Sequence, residues 1–205
     1  KDFIIGVNIG KNKITPLESA KDDYTKCIEI LFDAADYFTV NISSPNTEGL
    51  RELQSEQYLE DLLGTIYEKN YSESQKRNQN PKNIFLKIAP DLNDDEIKVL
   101  YYSAYKNKFT GIIATNTTID KTGLNCSENE KGGISGVPLK KRSDYVLNLL
   151  NNLNKENNNK LYLIASGGVF NKTDFADKLN LGASLVQVYT GFIYEGPGIV
   201  KSILK

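Results

Sequence analysis

The sequence alternates between short strand-like runs and helix-like segments, and this alternation limits the possible folds more than any other feature. Each run of β-branched and apolar residues is followed by a polar or glycine-containing turn, and then by apolar residues at helical spacing. Such alternation is typical of βα units with parallel strands. Six strands are predicted, at Ile4–Asn8, Tyr37–Ile42, Ile84–Ala89, Gly111–Asn116, Leu161–Ser166 and Ser184–Thr190.

The segments between these strands carry apolar stripes that can cover a sheet, as at Tyr24 and Ile28. Asn93 followed by Glu96 predicts a capped helix start, and Thr173 is predicted to cap a later helix. Periodicity alone leaves two α/β architectures open, an open doubly wound sheet and a (β/α)8 barrel. Six units in 205 residues are too few to close the usual eight-stranded barrel.

Composition argues against several classes of function. The net charge is -1 and the basic run at 140–142 is too short for a nucleic-acid footprint. Histidine is absent from the sequence, which removes imidazole as a metal ligand and as a general base. Cys27 lies in a helical stretch and Cys126 in a polar loop, so neither a disulfide framework nor a metal site is expected. The two cysteines instead suggest that the protein works in a reducing compartment. No apolar run approaches the roughly 20 residues that span a bilayer.

Two stretches rich in Asn, Lys and Gln interrupt the pattern. They lie at Ser72–Asn83 and Asn151–Asn159. Their composition predicts surface loops or helix ends that take no part in chemistry.

Polar or glycine residues stand at the carboxyl end of every predicted strand, which is the edge that holds the site in parallel α/β folds. They are Asn8 with Lys11, Asn41 to Thr47, Lys87, Thr115 to Thr118, Gly167 with Gly168, and Tyr189 with Thr190. One such residue is usually a loop cap or a solvated charge. Their presence at all six ends predicts a functional site.

Lys87 ends a hydrophobic strand, where an ammonium group costs several kcal/mol to bury unless it meets a partner. That partner is either a ligand or a structural ion pair, and the sequence does not decide between them. Gly167-Gly168 before a predicted helix, together with Tyr189-Thr190-Gly191, predicts a phosphate site like that of the last two βα loops of many barrels.

The segment Asn41–Arg51 is the densest in polar residues. Strand alternation points Asn41 and Ser43 to one face, and Pro45 then breaks the strand. A Ser-Pro turn followed by Asn is often turn chemistry alone, so the composition of this segment leaves a structural role open.

Several strings together resemble the class 2, quinone-dependent dihydroorotate dehydrogenases, in family order and at family-like spacing from Ile5 to the C-terminus. The strings are Asn8-Ile9-Gly10-Lys11-Asn12-Lys13, Asn41 to Arg51, Lys87 to Leu92, Ala114-Thr115-Asn116-Thr117-Thr118, Gly132-Gly133-Ile134-Ser135-Gly136 and Leu185-Val186-Gln187-Val188-Tyr189.

The resemblance implies an FMN-binding (β/α)8 TIM barrel. In this family FMN accepts a hydride from C6 of dihydroorotate while a base removes the C5 proton, orotate forms, and quinone reoxidises the flavin. The base is the second serine of the Asn-Ile-Ser-Ser-Pro-Asn motif, here Ser44, where class 1 members have cysteine. The implied FMN contacts are Asn8, Asn41, Lys87, Thr115, Gly136, Gly168, Tyr189 and Thr190, and the implied substrate contacts are Asn41, Asn46, Asn116 and Thr117.

Physical chemistry agrees with parts of this assignment. Asparagine amides carry both donors and an acceptor and can pair with a pyrimidine dione, and Lys87 could stabilise negative charge on a reduced flavin. A serine hydroxyl is a poor base in water, so Ser44 needs a relay, and Thr47 is the predicted next carrier.

The sequence departs from the family pattern at its beginning. About six of the eight βα units are expected here; the two N-terminal units and the helical quinone-binding, membrane-contacting region before them are missing. Residue 1 is lysine and methionine is absent, which predicts a fragment or a processed chain. Thr190 stands where serine is common and keeps the hydroxyl.

Three rival interpretations remain at this stage: a catalytically incompetent fragment, another FMN barrel such as a class 1 dihydroorotate dehydrogenase or a dihydrouridine synthase, and a phosphate-binding barrel without redox chemistry. Ser44 in place of cysteine argues against the second. The resemblance implies a location at the mitochondrial inner membrane in a eukaryote or at the cytoplasmic membrane in a bacterium.

Overall fold

The computed structural model describes residues 3–124 and 131–205. Six strands lie in these ranges: β1 (Gly6–Ile9), β2 (Tyr37–Asn41), β3 (Asn83–Ile88), β4 (Gly111–Ala114), β5 (Tyr162–Ser166) and β6 (Leu185–Gln187). The helices are α1 (Ala20–Leu31), α2 (Glu56–Lys76), α3 (Asp94–Lys106), α4 (Val137–Glu156), α5 (Lys172–Asn180), α6 (Thr190–Glu195) and α7 (Gly198–Leu204), with 3-10 turns at Leu17–Ser19 and Leu50–Gln54. The prediction for Cys126 lies outside the described residues.

The strands form one parallel sheet in the order β1-β2-β3-β4-β5-β6, so each strand pairs with the strand that follows it in sequence. A doubly wound sheet would reverse its order at a switch point, and this sheet does not. The sheet curls into a partial barrel of six βα units, which confirms the predicted barrel-type α/β fold.

Alternation along the strands separates two apolar layers. Residues such as Phe38, Leu86 and Ile112 point outward and pack under the helices in one large cluster. Phe85 points inward with Ile113 and Ile164, where Tyr37 packs against it edge to face. The inward face continues from Phe85 to Lys87, two positions later, at the carboxyl edge of β3.

Several local predictions can be compared with the structure. Asn93 and Glu96 form the predicted capping box at the start of α3. The prediction for Thr173 is wrong, because Asn171 caps α5 by accepting a hydrogen bond from the Asp174 N–H. An asparagine side chain at this position can accept a hydrogen bond from the free backbone N–H at the helix start as well as threonine would.

The two Asn-rich stretches are only partly at the surface, so that prediction is wrong for their buried members. Glu73 and Ser74 are buried near the end of α2. Asn151 and Asn154 are buried in α4, where Asn154 exchanges two hydrogen bonds with the backbone of Leu161. Polar side chains whose hydrogen bonds are satisfied can be buried, and composition alone does not reveal this.

None of the helices in the described ranges has the length and hydrophobicity needed to cross a bilayer.

Candidate functional site

A cavity of about 220 Å³ opens at the carboxyl ends of β3 to β6. Eight residues predicted as site residues line it: Lys87, Thr115, Asn116, Thr117, Gly136, Gly168, Tyr189 and Thr190. Ser135, Ser166 and Gln187 add further polar groups to the wall. The predicted edge of the sheet is therefore where the structure has a polar cavity.

Lys87 is the cationic group of the cavity. It lies beside Asn41 in the register of β2 and β3, half-buried. Burial lowers the pKa of its ammonium group from the ordinary 10.5, because a charged group loses hydration there. Among the described residues none accepts a hydrogen bond from it or forms an ion pair with it. The structural ion pair considered from sequence does not occur within the described ranges.

Hydrogen bonds join the loops after β2 and β4 across the sheet edge. The Asn41 Oδ1 accepts bonds from the Ser43 backbone N–H at 3.2 Å, the Ser43 hydroxyl at 3.0 Å and the Asn116 Nδ2 at 3.2 Å. Asn116 Nδ2 also donates to Ser43 Oγ at 3.1 Å, and its Oδ1 accepts the Thr117 N–H at 2.8 Å. The orientation of both amides is thereby fixed.

Ser44 follows the fully buried Ser43 and is itself half-buried. Its Oγ accepts a hydrogen bond from the backbone N–H of Asn46 at 3.2 Å. Asn46 is exposed, and Thr47 is half-buried with no hydrogen bond between its hydroxyl and that of Ser44. The proposed base and its proposed relay partner are thus neighbours in sequence without direct contact.

Glycines bring backbone close to the far side of the cavity. Gly168 has a φ of +72°, and a Cβ there would lie 2.4 Å from Lys140 Cβ. Gly136 has a φ of +76° and precedes α4, and a Cβ there would lie 3.1 Å from Thr190 Cγ2. Helix α6 begins at Thr190, whose hydroxyl donates to Ser135 Oγ at 2.9 Å. Backbone amides near two helix starts suit an anionic group such as a phosphate.

Two buried hydroxyls at the cavity have no hydrogen-bond partner among the residues that the structure describes. They are Thr115 Oγ1 and Thr117 Oγ1. The backbone around them is held firmly, since the Thr115 N–H donates to Ser166 and the Asn116 N–H donates to Ile88. A buried unpaired hydroxyl costs about 1–3 kcal/mol. Together with Lys87, which has no partner among the described residues, these hydroxyls fit a polar, anionic ligand.

Other predicted residues lie away from this cavity. Asn8 is exposed on β1, at the opposite edge of the sheet from β6, and does not line the cavity. Lys11 is nearly buried because its ammonium donates to the carbonyls of Asn12 and Thr15. It therefore has a structural role in the loop after β1.

Sequence reasoning missed Arg51 and Asp91 as parts of the site. Arg51 donates to the Ser43 and Thr117 carbonyls and pairs with Asp91 at 2.7 Å. Arg51 is the last residue of the Asn41–Arg51 segment that resembles the family, and this position was the one sequence signal for its role. Its partners are 40 and 66 residues away, so sequence spacing could not identify them.

Comparison with known proteins relates the whole chain to one family. The profile of the dihydroorotate dehydrogenase family matches residues 1–205. Proteins named dihydroorotate dehydrogenase (quinone) from Christiangramia forsetii and Shewanella woodyi are 51% and 47% identical over 205 and 204 residues. These alignments cover 99% and 98% of this chain. The chain spans 58% and 59% of the length of those relatives.

Solved structures show the same relationship. A crystal structure of the dihydroorotate dehydrogenase of Eimeria tenella in complex with ferulenol superposes with a TM-score of 0.84 at 36% identity. The match covers 98% of this chain and 56% of that chain. The ligand-free form of the Eimeria tenella protein matches with a TM-score of 0.82 at 38% identity.

Proposed function

The chain belongs to the dihydroorotate dehydrogenase family, and on that premise we propose that residues 1–205 are part of the FMN-binding catalytic barrel of an enzyme that oxidises dihydroorotate to orotate in UMP biosynthesis. One observation carries this proposal beyond family membership. Lys87, Thr115 and Thr117 bring one ammonium and two buried hydroxyls to one cavity, at the edge where barrels bind their ligands, and within the described ranges none of the three has a partner.

Two sets of residues would hold FMN. Gly136, Gly168, Tyr189 and Thr190 would bind its phosphate through backbone amides and the Thr190 hydroxyl. The remaining proposed contacts of the cofactor are Asn8, Asn41, Lys87 and Thr115. The positive charge of Lys87 would stabilise negative charge at the flavin. When bound, FMN would accept the hydride from C6 of dihydroorotate, and a quinone would reoxidise it.

The substrate would be held by Asn41, Asn46, Asn116 and Thr117. Asparagine amides can both donate to and accept from a pyrimidine dione. The hydrogen bond from Asn116 to Asn41 holds these amides in one orientation before the substrate arrives, which reduces the entropy lost on binding.

Ser44 Oγ is the proposed acceptor of the C5 proton. The hydrogen bond from the Asn46 N–H to this oxygen favours a negatively charged oxygen, because a donor stabilises the charged form. A serine still requires an onward path for its proton, and Thr47 is proposed as the next carrier. Since the two hydroxyls are not in contact, the transfer needs a bridging water or a movement of the loop.

We also propose the setting in which the enzyme works. The named relatives are quinone enzymes, which supports a quinone as final acceptor. Family resemblance supports membrane association, at the mitochondrial inner membrane in a eukaryote or the cytoplasmic membrane in a bacterium.

The test uses the full-length protein. The purified protein should carry one flavin, identified as FMN by mass spectrometry after release, and anaerobic dihydroorotate should bleach its absorbance. A protein that carries FMN which dihydroorotate never bleaches belongs to another FMN-dependent reaction. A protein that binds phosphate compounds but no flavin is a barrel without redox chemistry.

A further inference from the structure

Arg51 connects three loops at the carboxyl edge of the sheet. Its Nε donates to the carbonyl of Ser43 in the loop after β2, at 3.0 Å. One terminal nitrogen pairs with Asp91 Oδ2 after β3 at 2.7 Å, and the other donates to the carbonyl of Thr117 after β4 at 2.9 Å. A single planar group thereby sets the spacing of three segments that surround the site.

Asp91 extends this connection along the loop after β4. Its Oδ2 also accepts the backbone N–H of Ile119 at 3.2 Å, and its Oδ1 accepts the hydroxyl of Thr118. The segment Thr117–Ile119 is therefore held at three points by Arg51 and its carboxylate partner. About a fifth of each side chain is exposed, 22% for Arg51 and 21% for Asp91, so solvent screens this pair less than a surface pair.

Both members of the pair rest on rigid supports. Arg51 lies in the 3-10 turn Leu50–Gln54, which is anchored by the buried Leu50 and Leu53 and by Gln54 Oε1, an acceptor for the Ala89 N–H at 3.0 Å. On the other side, Arg142 of α4 donates to the carbonyls of Pro90 and Leu92, the two neighbours of Asp91.

We propose that Arg51 is a positioning residue for removal of the substrate proton. Arg51 binds the carbonyl of Ser43, the residue before Ser44, and the carbonyl of Thr117. It would therefore set the distance between Ser44 and the Asn116–Thr117 segment, which is proposed to hold the substrate. This inference rests on the proposed function and adds to it a residue that does not line the cavity.

The geometry favours arginine over lysine at this position. Three N–H donors point in fixed directions to acceptors on three loops, and the ammonium of lysine is a single point that cannot reach all three. A misplacement of about 1 Å in a catalytic arrangement can reduce the rate about 100-fold. Arg51→Lys keeps the positive charge, but it should no longer hold the three loops at their present spacing.

The experiment compares Arg51→Lys with wild type in the full-length holoenzyme. Anaerobic stopped flow measures how fast dihydroorotate bleaches the flavin, using substrate deuterated at C5 or at C6. In Arg51→Lys, dihydroorotate should bleach the flavin at least about tenfold more slowly than in wild type. Its isotope effect should rise for C5 deuterium and not for C6, because proton removal becomes the harder step. The FMN content should be unchanged.

Arg77→Lys is the matched control. Arg77 also bridges separate elements, since it pairs with Asp33 and Glu73 and donates to the Glu29 carbonyl, and none of these partners is a proposed site residue. This variant should lower the melting temperature without changing the bleaching rate or either isotope effect. If Arg51→Lys behaves in the same way, Arg51 is only a structural residue and the inference is wrong.

Asp91→Asn is the second variant, in case Arg51→Lys does not fold. It removes the charge that holds one terminal nitrogen of Arg51 and should produce a smaller slowing, again with a rise confined to the C5 isotope effect. Equal isotope effects at C5 and C6 in this variant would overturn the inference. If dihydroorotate fails to bleach wild type, the proposed function fails instead, so the two failures are distinguishable.

Discussion

Replacing Lys87 with methionine should raise the stability of the flavin-free protein and weaken its binding of FMN. Methionine has a similar length and no charge, so it fills the same space on the inner face of β3. The Lys87 ammonium is half-buried and has no partner among the described residues. Its removal relieves a desolvation penalty when FMN is absent and deletes a charged contact when FMN is present.

The two effects have estimable sizes. An unsatisfied buried polar group costs about 1–3 kcal/mol, so the free energy of unfolding of the flavin-free protein should rise by about that amount. A hydrogen bond to a charged group contributes about 1.5–3 kcal/mol, so FMN binding should weaken about 10- to 100-fold. For a chain of this size, 1 kcal/mol corresponds to about 2–4 °C in melting temperature.

The pH dependence provides a further check. Burial lowers the pKa of Lys87 below 10.5, so the folded flavin-free protein binds this proton less tightly than the unfolded chain does. The free energy of unfolding contributed by this group therefore increases as the pH rises toward 10.5. Lys87→Met should remove this contribution to the increase of the free energy of unfolding with pH.

Thermal unfolding with and without a titration of FMN measures both quantities on one sample. Lys11→Met is the matched control, because the Lys11 ammonium donates to the carbonyls of Asn12 and Thr15. This control should lower the melting temperature and leave the FMN affinity unchanged. Destabilisation of the flavin-free protein by Lys87→Met, or an FMN affinity of this variant within twofold of wild type, would rule out this role of Lys87.

Three further predictions concern the relay and two buried charged groups. Thr47→Val should slow flavin bleaching by dihydroorotate in stopped flow, and an unchanged rate would remove Thr47 from the relay. Lys178→Met should lower the free energy of unfolding by about 1–3 kcal/mol in urea titration, because the fully buried Lys178 ammonium pairs with Asp144 at 2.7 Å and donates to Ser143 Oγ at 2.6 Å. Asp144 keeps Lys140 as a partner at 2.8 Å, and an unchanged free energy of unfolding would contradict this prediction. Hydrogen bonds from neighbouring cations lower the pKa of the Glu73 carboxyl to about 2, so its stabilisation is present above pH 4.5 and is lost as the pH falls through 2. Glu73→Gln should make the melting temperature fall less as the pH is lowered from 4.5 to 2. A fall as large as in wild type would rule out this stabilising role of Glu73.

The sequence predicted the sheet well because burial leaves a periodic signal. All six predicted strands occur, since inward and outward residues alternate around turns that contain polar residues or glycine. The ends of strands were predicted less well. The predicted last strand extended to Thr190, whereas the structure ends β6 at Gln187 and begins α6 at Thr190, because β propensity does not mark where a helix starts.

The strand pattern predicted those residues of the cavity wall that follow strand ends, whereas Gly136 was predicted by the family resemblance alone. Lys87 and Thr115 are strand-end residues and do line one cavity. Asn8 is a strand-end residue too, but it lies on the edge strand away from that cavity. The spacing of loops depends on Arg51, whose partners come from distant parts of the chain, and no local pattern encodes such contacts.

The proposed reaction of this site is the oxidation of dihydroorotate with Ser44 as the base. The most direct measurement is reduction of a quinone analogue by dihydroorotate in the full-length protein, wild type against Ser44→Ala, with flavin absorbance recorded in the same cuvette. If Ser44 is the base, the variant keeps its flavin and loses most of its activity. A variant that reduces the quinone analogue as fast as wild type would show that Ser44 is not the base.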